Sequence, residues 1–317
     1  MTNTTKKIQT LAHHYGLWSA DSKLILGVSG GPDSVCLLDI FSKLKKKYNL
    51  QLIIAHVNYG LRGKDSITDE EFVKKLAEKY ELEAFVFHPE IKDTQNLESR
   101  LRDIRYEFFE QLRCDHGFDL IAVAHNLNDQ SETFLMHLMR GAGLSGLSAM
   151  RFRSNRVIRP LLATTREEII EYLKKAKLKY RTDRTNMTNV FLRNKVRNKL
   201  IPFLEKNFNP NIKKTLFIST LSIAEDQTFI QAAADAISLK TLRSVKGILN
   251  LSPALQKRAI HRLILEKQTT LQNIESAHIE EILKSLRSTK GKSQVVVFKG
   301  LRMTRKGDKL TIDLIKI

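Results

Sequence analysis

A short glycine-rich segment near the beginning of the chain combines the residue types that bind phosphate groups. Its residues are Ser29, Gly30, Gly31, Pro32, Asp33 and Ser34. It follows the apolar residues 24–28 and precedes the apolar residues 35–41, which indicates a strand, a loop and a helix. Backbone N–H groups of such a loop converge on anions at the positive end of the helix. The Ser29 and Ser34 hydroxyls add donors, and the Asp33 carboxylate can reach a metal ion on the phosphates. We therefore predict a phosphate-binding loop, for which an ordinary Gly-Ser turn is the alternative.

This loop has no lysine, unlike the common nucleotide-binding loop G-x-x-x-x-G-K-S/T. Residues 60–65 contain a Gly-Lys pair, but its spacing is wrong and no comparable pattern precedes it. The sequence thus predicts a phosphate loop of another kind.

Three further polar residues fall where predicted strands end. His56 and Asn58 lie at the end of the predicted strand 51–57, and His125 follows the predicted strand 120–124. Ligands of a parallel sheet bind at the carboxyl ends of its strands, so we expect these side chains beside the glycine loop. A histidine in such a position otherwise packs against its neighbours or caps a helix.

Charged side chains on two predicted helices complete the set of candidate catalytic residues. Asp129 and Glu132 are three residues apart, so both carboxylates fall on one helix face at the sheet edge. Arg105 is placed to neutralise a phosphate or a developing negative charge. The alternatives are an acidic pair that only favours the helix dipole and a solvated arginine.

The elements that must position these residues alternate along the first half of the chain. The predicted strands are Leu24–Val28, Gln51–Val57, Ala84–Phe87, Leu120–Ala124 and Arg156–Arg159. The predicted helices are Ser34–Lys47, Ser66–Tyr80, Leu97–Asp115 and Asn128–Arg140, and capping boxes are predicted at residues 66–69 and 164–167. This alternation predicts an α/β fold with a doubly wound parallel sheet.

Composition restricts the class of partner. The 317 residues contain 53 Lys and Arg against 34 Asp and Glu, a formal charge of +19, which favours a polyanionic partner. No apolar run is long enough to span a bilayer, and the first residues lack the apolar core of a signal peptide, so we expect a cytoplasmic protein with no membrane partner. Cys36 and Cys114 are too few for a disulfide framework and too far apart for a C-x-x-C site.

A basic stretch, residues 174–199, follows the predicted sheet. It contains ten Lys or Arg and one acid, interleaved with Asn, Thr and aromatic residues. Such a mixture favours RNA contact, with a solvated charged face as the alternative. We expect Arg193 and Arg197 to bind the nucleic-acid substrate.

The pattern changes after residue 209. A long helix is predicted at about 212–239, followed by helices at about 253 onward and 274–286 and by strands at 294–298 and 309–315. We therefore predict two domains, a catalytic domain at 1–215 and a smaller α+β domain at 216–317.

The glycine loop resembles the SGGxDS loop of the PP-loop ATP pyrophosphatase superfamily, whose members adenylate a carbonyl oxygen and release pyrophosphate. Six further segments, in order over residues 24–200, resemble the motif series of the tRNA(Ile)-lysidine synthase family. They are Ala55–Arg62, Glu98–Tyr106, Ala124–Thr133, Met139–Leu147, Ile158–Leu162 and Asp183–Asn186 ahead of Arg193–Arg197. The resemblance implies a PP-loop ATPase fold. The separate C-terminal domain is rich in Lys and Arg, so we expect it to bind a part of the tRNA away from the anticodon.

The resemblance also implies a reaction. An AMP-forming carbon–nitrogen ligase would use ATP and Mg²⁺ to adenylate C2 of the wobble cytidine in the isoleucine tRNA with a CAU anticodon. Free L-lysine would then displace AMP to give lysidine. In this scheme the loop residues, His56 and Asn58 bind the nucleotide, and Asp33 binds the metal. Asp129 and Glu132 hold lysine and take its proton, and Arg105 and His125 are catalytic. A homodimer is compatible with these motifs.

Two positions depart from the family pattern. Tyr59 stands where a second histidine is usual, and Leu101 replaces a small residue. Two other functions share some of these features. A sulfur-inserting PP-loop tRNA enzyme needs a cysteine pair or an iron–sulfur cluster, for which the cysteine spacing is wrong. A non-catalytic, nucleotide-dependent RNA-binding protein needs the loop and the basic stretch, but not Asp129, Glu132 and Arg105 together.

Overall fold

The computed structural model describes residues 3–91, 96–182, 192–267, 274–289 and 292–315. The chain forms two compact units, Met1–Ser222 and Ile223–Ile317. The domain division predicted after residue 215 and the division between the two units after Ser222 both fall inside one helix, Ile212–Asp235. Among the helices of the described ranges, none has the length and apolar character needed to cross a membrane.

The first unit is an α/β structure built on one sheet. Its strands are β1 Lys23–Gly27, β2 Gln51–Val57, β3 Ala84–Phe87, β4 Leu120–Ala122, β5 Arg153–Ser154 and β6 Val157–Ile158. Its longer helices are α1 Asn3–His14, α2 Pro32–Tyr48, α3 Lys64–Tyr80, α4 Leu97–Asp115, α5 Leu127–Met139 and α7 Arg166–Lys175. Shorter pieces are α6 Leu144–Leu147, α8 Leu192–Lys195, a π-helical turn Val196–Leu200 and α9 Ile201–Asn207, after which α10 Ile212–Asp235 begins.

The sheet has the strand order β3-β2-β1-β4-β6-β5, and all pairs are parallel except β5 with β6. The predicted doubly wound parallel sheet is thus confirmed. The chain moves outward in one direction from β1 to β2 and β3, and in the other from β1 to β4 and β6. The crevice at such a reversal, outside the carboxyl ends of β1 and β4, is where open α/β sheets bind ligands.

Strand β1 is buried on both sides because helices cover both faces of the sheet. Successive side chains of a strand point to opposite faces. Leu24 and Leu26 therefore pack into the core cluster that contains Phe41 of α2, whereas Ile25 packs into the cluster that contains Phe109 of α4. The continuous apolar run that predicted this strand reflects its burial on both faces.

Both predicted capping boxes need correction. In α7 the cap is Thr165, whose side chain accepts from the Glu168 N–H at 3.2 Å while Glu168 accepts from the Thr165 N–H at 2.7 Å. The sequence T-T-R-E-E fits two registers, and the predicted one is one residue early. Ser66 does not cap α3, because that helix begins two residues earlier, at Lys64.

The second unit confirms the predicted α+β character. Its helices, beyond the end of α10, are α11 Leu239–Leu242, α12 Val245–Leu249, α13 Pro253–Leu265 and α14 Ser276–Arg287. Its strands, β7 Gln294–Phe298, β8 Leu301–Lys306 and β9 Lys309–Leu314, form an antiparallel sheet in that order. One face contributes Val296, Met303 and Ile312 to a core with the helices, and the other face exposes Val297 and Arg302.

Candidate active site

The glycine loop lies between β1 and the first turn of α2, as predicted. Gly30 has a φ of +83°, and a Cβ atom there would lie 3.3 Å from Cδ1 of Phe72, so both the backbone and the space require glycine. Pro32 is the first residue of α2, where its missing N–H costs no helical hydrogen bond. The chain therefore turns tightly and points a helix N-terminus at the crevice.

The two loop serines have different surroundings. The buried Ser34 hydroxyl donates to the Gly31 carbonyl at 2.9 Å and accepts from the Ser29 N–H at 3.2 Å. Ser29 is exposed, and its hydroxyl lies 3.3 Å from that of Ser34 and 3.4 Å from the Gly31 nitrogen. Ser34 thus holds the loop in shape, whereas Ser29 is the solvent-exposed serine of the loop.

Asp33 combines one paired and one unpaired oxygen. Its Oδ2 accepts from Nη1 of Arg166 at 2.9 Å, and its Oδ1 is buried without a hydrogen-bond partner. Burial raises the pKa of this carboxyl above its ordinary value, against the nearby Arg166 guanidinium, which lowers it. A buried oxygen in need of a cation fits a metal ion that is shared with phosphate groups. No group of three His, Cys, Asp or Glu within the described ranges could hold a metal on side chains alone.

The two residues at the end of β2 differ in what they leave unpaired. Nδ1–H of His56 donates to the Val28 carbonyl at 2.8 Å, which leaves the buried Nε2 as an acceptor without a partner. Burial lowers the pKa of His56, so the ring is neutral near pH 7. The Asn58 amide donates to Glu70 at 2.8 Å and its oxygen accepts from the Gly60 N–H at 3.0 Å. Asn58 therefore shapes its own loop.

His125 lies just beyond β4 with arginines on several sides. Its Nδ1 is buried without a partner, as are the Nε atoms of Arg105 and Arg159. Burial lowers the pKa of His125 well below its ordinary value, and Arg159, Arg105, Arg193 and Arg102 lower it further. His125 is therefore a neutral ring in a positively charged pocket, suited to hydrogen bonding with an anionic group.

Asp129 and Glu132 lie in the first turns of α5. Asn126 caps this helix by accepting from the Asp129 N–H at 3.0 Å, while Asp129 Oδ2 accepts from the Asn126 N–H at 3.0 Å. Glu132 is only 1 % exposed, although it carries a carboxylate. A charge buried to this extent must be paired.

Two arginines provide that pairing. Arg197 donates from Nε to Glu132 Oε1 at 2.6 Å and from Nη2 to Oε2 at 2.9 Å. Arg193 donates from Nε to Glu132 Oε2 at 2.9 Å and contacts Glu98 at 3.3 Å. Arg197 Nη2 also lies 3.3 Å from Asp129 Oδ1. We call Asp129, Glu132, Arg193 and Arg197 the carboxylate network.

The backbone explains why both arginines reach the same glutamate. They are four residues apart, on α8 and the π-helical turn, and so lie on neighbouring turns of one helical face. Pro202 follows as the second residue of α9 and cannot donate a helical hydrogen bond. The π-helical turn lies directly before this proline, and such turns are rare and frequently occur at functional sites.

Five of the predicted site residues, Asp33, His56, His125, Asp129 and Glu132, lie at or just beyond the carboxyl ends of β1, β2 and β4. Three arginines that were not predicted to belong to the nucleotide site lie among them. These are Arg159, Arg166 and Arg181. Arg166 pairs with Asp33, Arg159 is 6 % exposed near His125, and the Arg181 backbone N–H donates to the Gly30 carbonyl at 2.9 Å. A basic sequence offers no local signal that separates such residues from solvated ones. The predicted motif Asp183–Asn186 lies outside the described residues.

Seven buried side-chain atoms of the described residues have no hydrogen-bond partner. They belong to Asp33, His56, Arg105, Tyr106, His125, Arg159 and Thr164. Unpaired buried polar atoms are rare in folded proteins because each one costs free energy. Four of these residues lie at the crevice: Asp33 in the first turn of α2, His56 near the end of β2, His125 beyond β4 and Arg159 beyond β6. The unpaired N–H groups of Arg105 and Arg159 can bind anionic oxygens, whereas the unpaired atoms of Asp33 and His56 need a cation or a hydrogen-bond donor.

Two family models match the chain. A PP-loop domain model covers residues 1–204, and a model described as the TilS substrate binding domain covers residues 244–310. The tRNA(Ile)-lysidine synthase of Clostridium tetani is 36 % identical over 293 residues, which are 88 % of this chain and 63 % of that protein. The enzyme of the same name from Clostridioides difficile is 31 % identical, over 96 % of this chain and 70 % of that protein. The chain thus spans about three fifths to seven tenths of the length of these relatives.

A solved structure shows the same fold. The U34-tRNA thiolase NcsA from Methanococcus maripaludis superposes with a TM-score of 0.58 over 70 % of this chain and 78 % of its own, at 22 % sequence identity. At that level of identity the likeness concerns the fold alone. It agrees with the PP-loop architecture found here.

Proposed function

We propose, because the chain belongs to the tRNA(Ile)-lysidine synthase family, that it joins free lysine to C2 of the wobble cytidine in the isoleucine tRNA with a CAU anticodon. ATP is consumed, and lysidine, AMP and pyrophosphate are formed. The observation that carries the proposal is the common location of the glycine loop and the carboxylate network at one sheet edge. A cytoplasmic location, where ATP and tRNA occur, belongs to the same proposal.

The first step is adenylation. The cytidine O2 attacks the α-phosphorus of ATP, an O–P bond forms, and the bond to the β,γ-pyrophosphate breaks. The glycine loop binds the departing pyrophosphate through backbone N–H groups and the positive end of α2. Asp33 would hold Mg²⁺, which neutralises phosphate charge when it is bound. Arg105 and the neutral His125 stabilise the anionic oxygens around the reacting phosphorus.

The second step is attack by lysine. Its ε-amine is protonated at neutral pH, with an ordinary pKa of about 10.4, so a carboxylate must bind it and accept a proton before attack. The amine nitrogen then forms a bond to C2, and AMP leaves with the O2 atom. Asp129 and Glu132 are the carboxylates that we assign to this role.

The carboxylate network sets a condition on this assignment. Both oxygens of Glu132 already accept from guanidinium groups, so a lysine ammonium reaches Glu132 only if an arginine moves away. The phosphates of the tRNA offer Arg193 and Arg197 an alternative partner of the same charge as glutamate. We therefore propose an exchange, in which tRNA phosphates bind the arginines and lysine binds the carboxylates.

The second unit is assigned to tRNA binding away from the wobble position. The exposed side of its sheet includes Arg302, Lys306 and Lys309. Lysine and arginine side chains of this kind bind phosphates with little sequence preference. The tRNA would thus be bound by two surfaces, one in each unit.

A sulfur-inserting reaction gains no support from the cysteines. Cys36 is buried in α2, and Cys114 is exposed near the end of α4. No observation therefore favours this second function.

Nucleoside analysis by mass spectrometry tests the proposal directly. The CAU-anticodon isoleucine tRNA is incubated with the protein, ATP, Mg²⁺ and lysine, and its nucleosides are then separated. We expect lysidine only when all components are present, and none when the methionine tRNA with the same anticodon is used. Absence of lysidine, or equal use of other amino acids, would overturn the assignment.

A further inference from the structure

The glycine loop contains no cation of its own, so the charge that meets the phosphates comes from other segments. Arg166 is already paired with Asp33. Arg181 follows α7 and lies directly against the loop. Its N–H donates to the Gly30 carbonyl at 2.9 Å, and a Cβ atom on Gly30 would lie 3.7 Å from Cγ of Arg181. The backbone and the side chain of Arg181 are therefore both in contact with the phosphate-binding segment.

A buried carboxylate fixes the direction of this arginine. Oδ1 of Asp69, on α3, accepts from Nε of Arg181 at 2.8 Å, and Oδ2 accepts from Nη2 of Arg62 at 2.7 Å. The Asp69 side chain is 10 % exposed, whereas that of Arg181 is 39 % exposed. Among the residues that the structure describes, no acceptor contacts the two terminal nitrogens of Arg181. The Nε edge of the guanidinium is thus anchored, and 39 % of the Arg181 side chain is exposed beside the loop.

This arrangement does more than stabilise the fold. Partly exposed ion pairs contribute little to stability, whereas a buried carboxylate is costly to desolvate. A carboxylate that anchors one edge of a guanidinium leaves its other donors oriented, which is what bidentate binding of a phosphate requires. Two guanidinium groups on one carboxylate also leave a net positive charge next to the loop.

We propose that Arg181 binds the β,γ-phosphates of the nucleotide at the glycine loop, and that Asp69 is the residue that positions it. This inference rests on the proposed function, since it deepens the account of the ATP site. Composition alone assigned Arg181 to the RNA-contacting stretch 174–199. The ligand group is a phosphate in both cases, so the test must separate the nucleotide from the tRNA backbone.

The test compares ligands that contain different phosphates. Binding of inorganic pyrophosphate, AMP and a non-hydrolysable ATP analogue with Mg²⁺ is measured by calorimetry, and tRNA binding by filter retention. The Arg181→Ala variant is expected to bind pyrophosphate and the ATP analogue about tenfold to a hundredfold more weakly, as for loss of a charge-assisted hydrogen bond. Its affinity for AMP, which lacks the β- and γ-phosphates, and for tRNA is expected to change by less than about threefold.

Lys179→Ala is the matched control, because Lys179 is an exposed cation two residues away from Arg181. It should leave pyrophosphate binding within about twofold of the wild type. Asp69→Asn keeps Arg181 but weakens its anchor, so its pyrophosphate affinity should fall by less than that of Arg181→Ala. Arg181→Lys, which keeps the charge without the forked geometry, should fall between wild type and Arg181→Ala. Thermal unfolding of each variant identifies those that are folded. If Arg181→Ala does not fold, the pyrophosphate affinities of Arg181→Lys and Asp69→Asn decide whether Arg181 binds the phosphates.

Three results would overturn the inference. The first is a loss of tRNA binding with unchanged pyrophosphate binding in Arg181→Ala. The second is an equal loss of AMP and pyrophosphate binding, and the third is an equal effect of Lys179→Ala. A wild-type protein that binds neither ATP nor pyrophosphate would instead contradict the proposed function itself.

Discussion

The glycine loop and the carboxylate network lie at the same edge of one sheet, yet they differ in how their polar atoms are paired. At the loop, Asp33 Oδ1 and His56 Nε2 are buried without partners. In the network, both oxygens of Glu132 accept hydrogen bonds from arginines. The loop is therefore ready for a ligand as it stands, whereas the network can bind a cation only by exchanging one partner for another.

This difference has an energetic meaning. Removing one partner from a buried ion pair costs about 3 to 5 kcal/mol, because an uncompensated charge remains. Arg193 and Arg197 can leave Glu132 only if another cation arrives as they go. The exchange that we propose therefore couples tRNA binding to lysine binding, and by linkage each ligand should increase the affinity for the other.

The largest effect on the reaction is expected for the Asp33→Ala variant, which changes the glycine loop. Loss of the metal-binding carboxylate should lower pyrophosphate release by at least about a hundredfold, as for loss of a strong electrostatic contribution to catalysis. The fold should be unaffected, since burial disfavours the charged Asp33. Pyrophosphate release and thermal unfolding are measured together, with Asp103→Ala on the exposed face of α4 as the control. Unchanged turnover would remove the loop from the mechanism.

In the carboxylate network, Glu132→Gln should lower both the stability of the fold and the affinity for lysine. It leaves Arg193 and Arg197 without their buried carboxylate, which should lower the free energy of unfolding by about 3 kcal/mol. The lysine concentration needed for half-maximal rate should rise more than that of ATP. Asp129→Asn is the comparison and should lose less stability, because Asp129 has only one ion pair within the described ranges, with Arg197 at 3.3 Å, and an asparagine oxygen can still accept from the Asn126 N–H. Equal increases for lysine and ATP would contradict the assignment of Glu132 to lysine.

A smaller effect is expected from Arg193→Ala, and it tests whether the arginine is exchanged. If Arg193 binds a phosphate in the complex, the slope of log affinity for tRNA against log salt should decrease by about 0.7 to 0.9. Arg302→Ala, on the exposed sheet face of the second unit, should give a similar decrease without loss of turnover. An unchanged slope in Arg193→Ala would show that this side chain stays on Glu132 throughout.

The smallest effect on the reaction is expected from a structural ion network near the loop. Glu70 accepts from Asn58, Lys74 and His88, and these contacts outweigh burial and lower its pKa to about 2. A lowered carboxyl pKa stabilises the fold above the unfolded value of 4.5, and the stabilisation is lost as pH falls toward 2. Glu70→Gln should therefore cost about 1 kcal/mol at neutral pH and nothing at pH 2, with the lysine and ATP requirements unchanged. Chemical denaturation across this pH range measures the difference.

Local patterns predicted most of the framework that carries the site. β2, β3, α4 and β7 have the predicted bounds, because their periodicity and flanking turns are local properties of the sequence. Strand β8 was missed, since its alternation of apolar and polar residues holds only over residues 301–304 and is broken by the charged Arg305. The carboxylate network could not be predicted, because its contacts join residues 61 and 65 positions apart. The same holds for Arg181, whose neighbours come from two other elements.

One experiment compares the two sides of the site most directly. Glu132→Gln is incubated with the cognate tRNA, ATP and Mg²⁺ under single-turnover conditions, and pyrophosphate and lysidine are quantified in the same reaction after lysine is added. The account predicts that pyrophosphate is released at a rate within about tenfold of the wild type while lysidine formation falls much further, since adenylation depends on the loop and transfer on the network. If Glu132→Gln instead loses pyrophosphate release as completely as Asp33→Ala does, the division between a preformed nucleotide site and an exchanging lysine site is wrong.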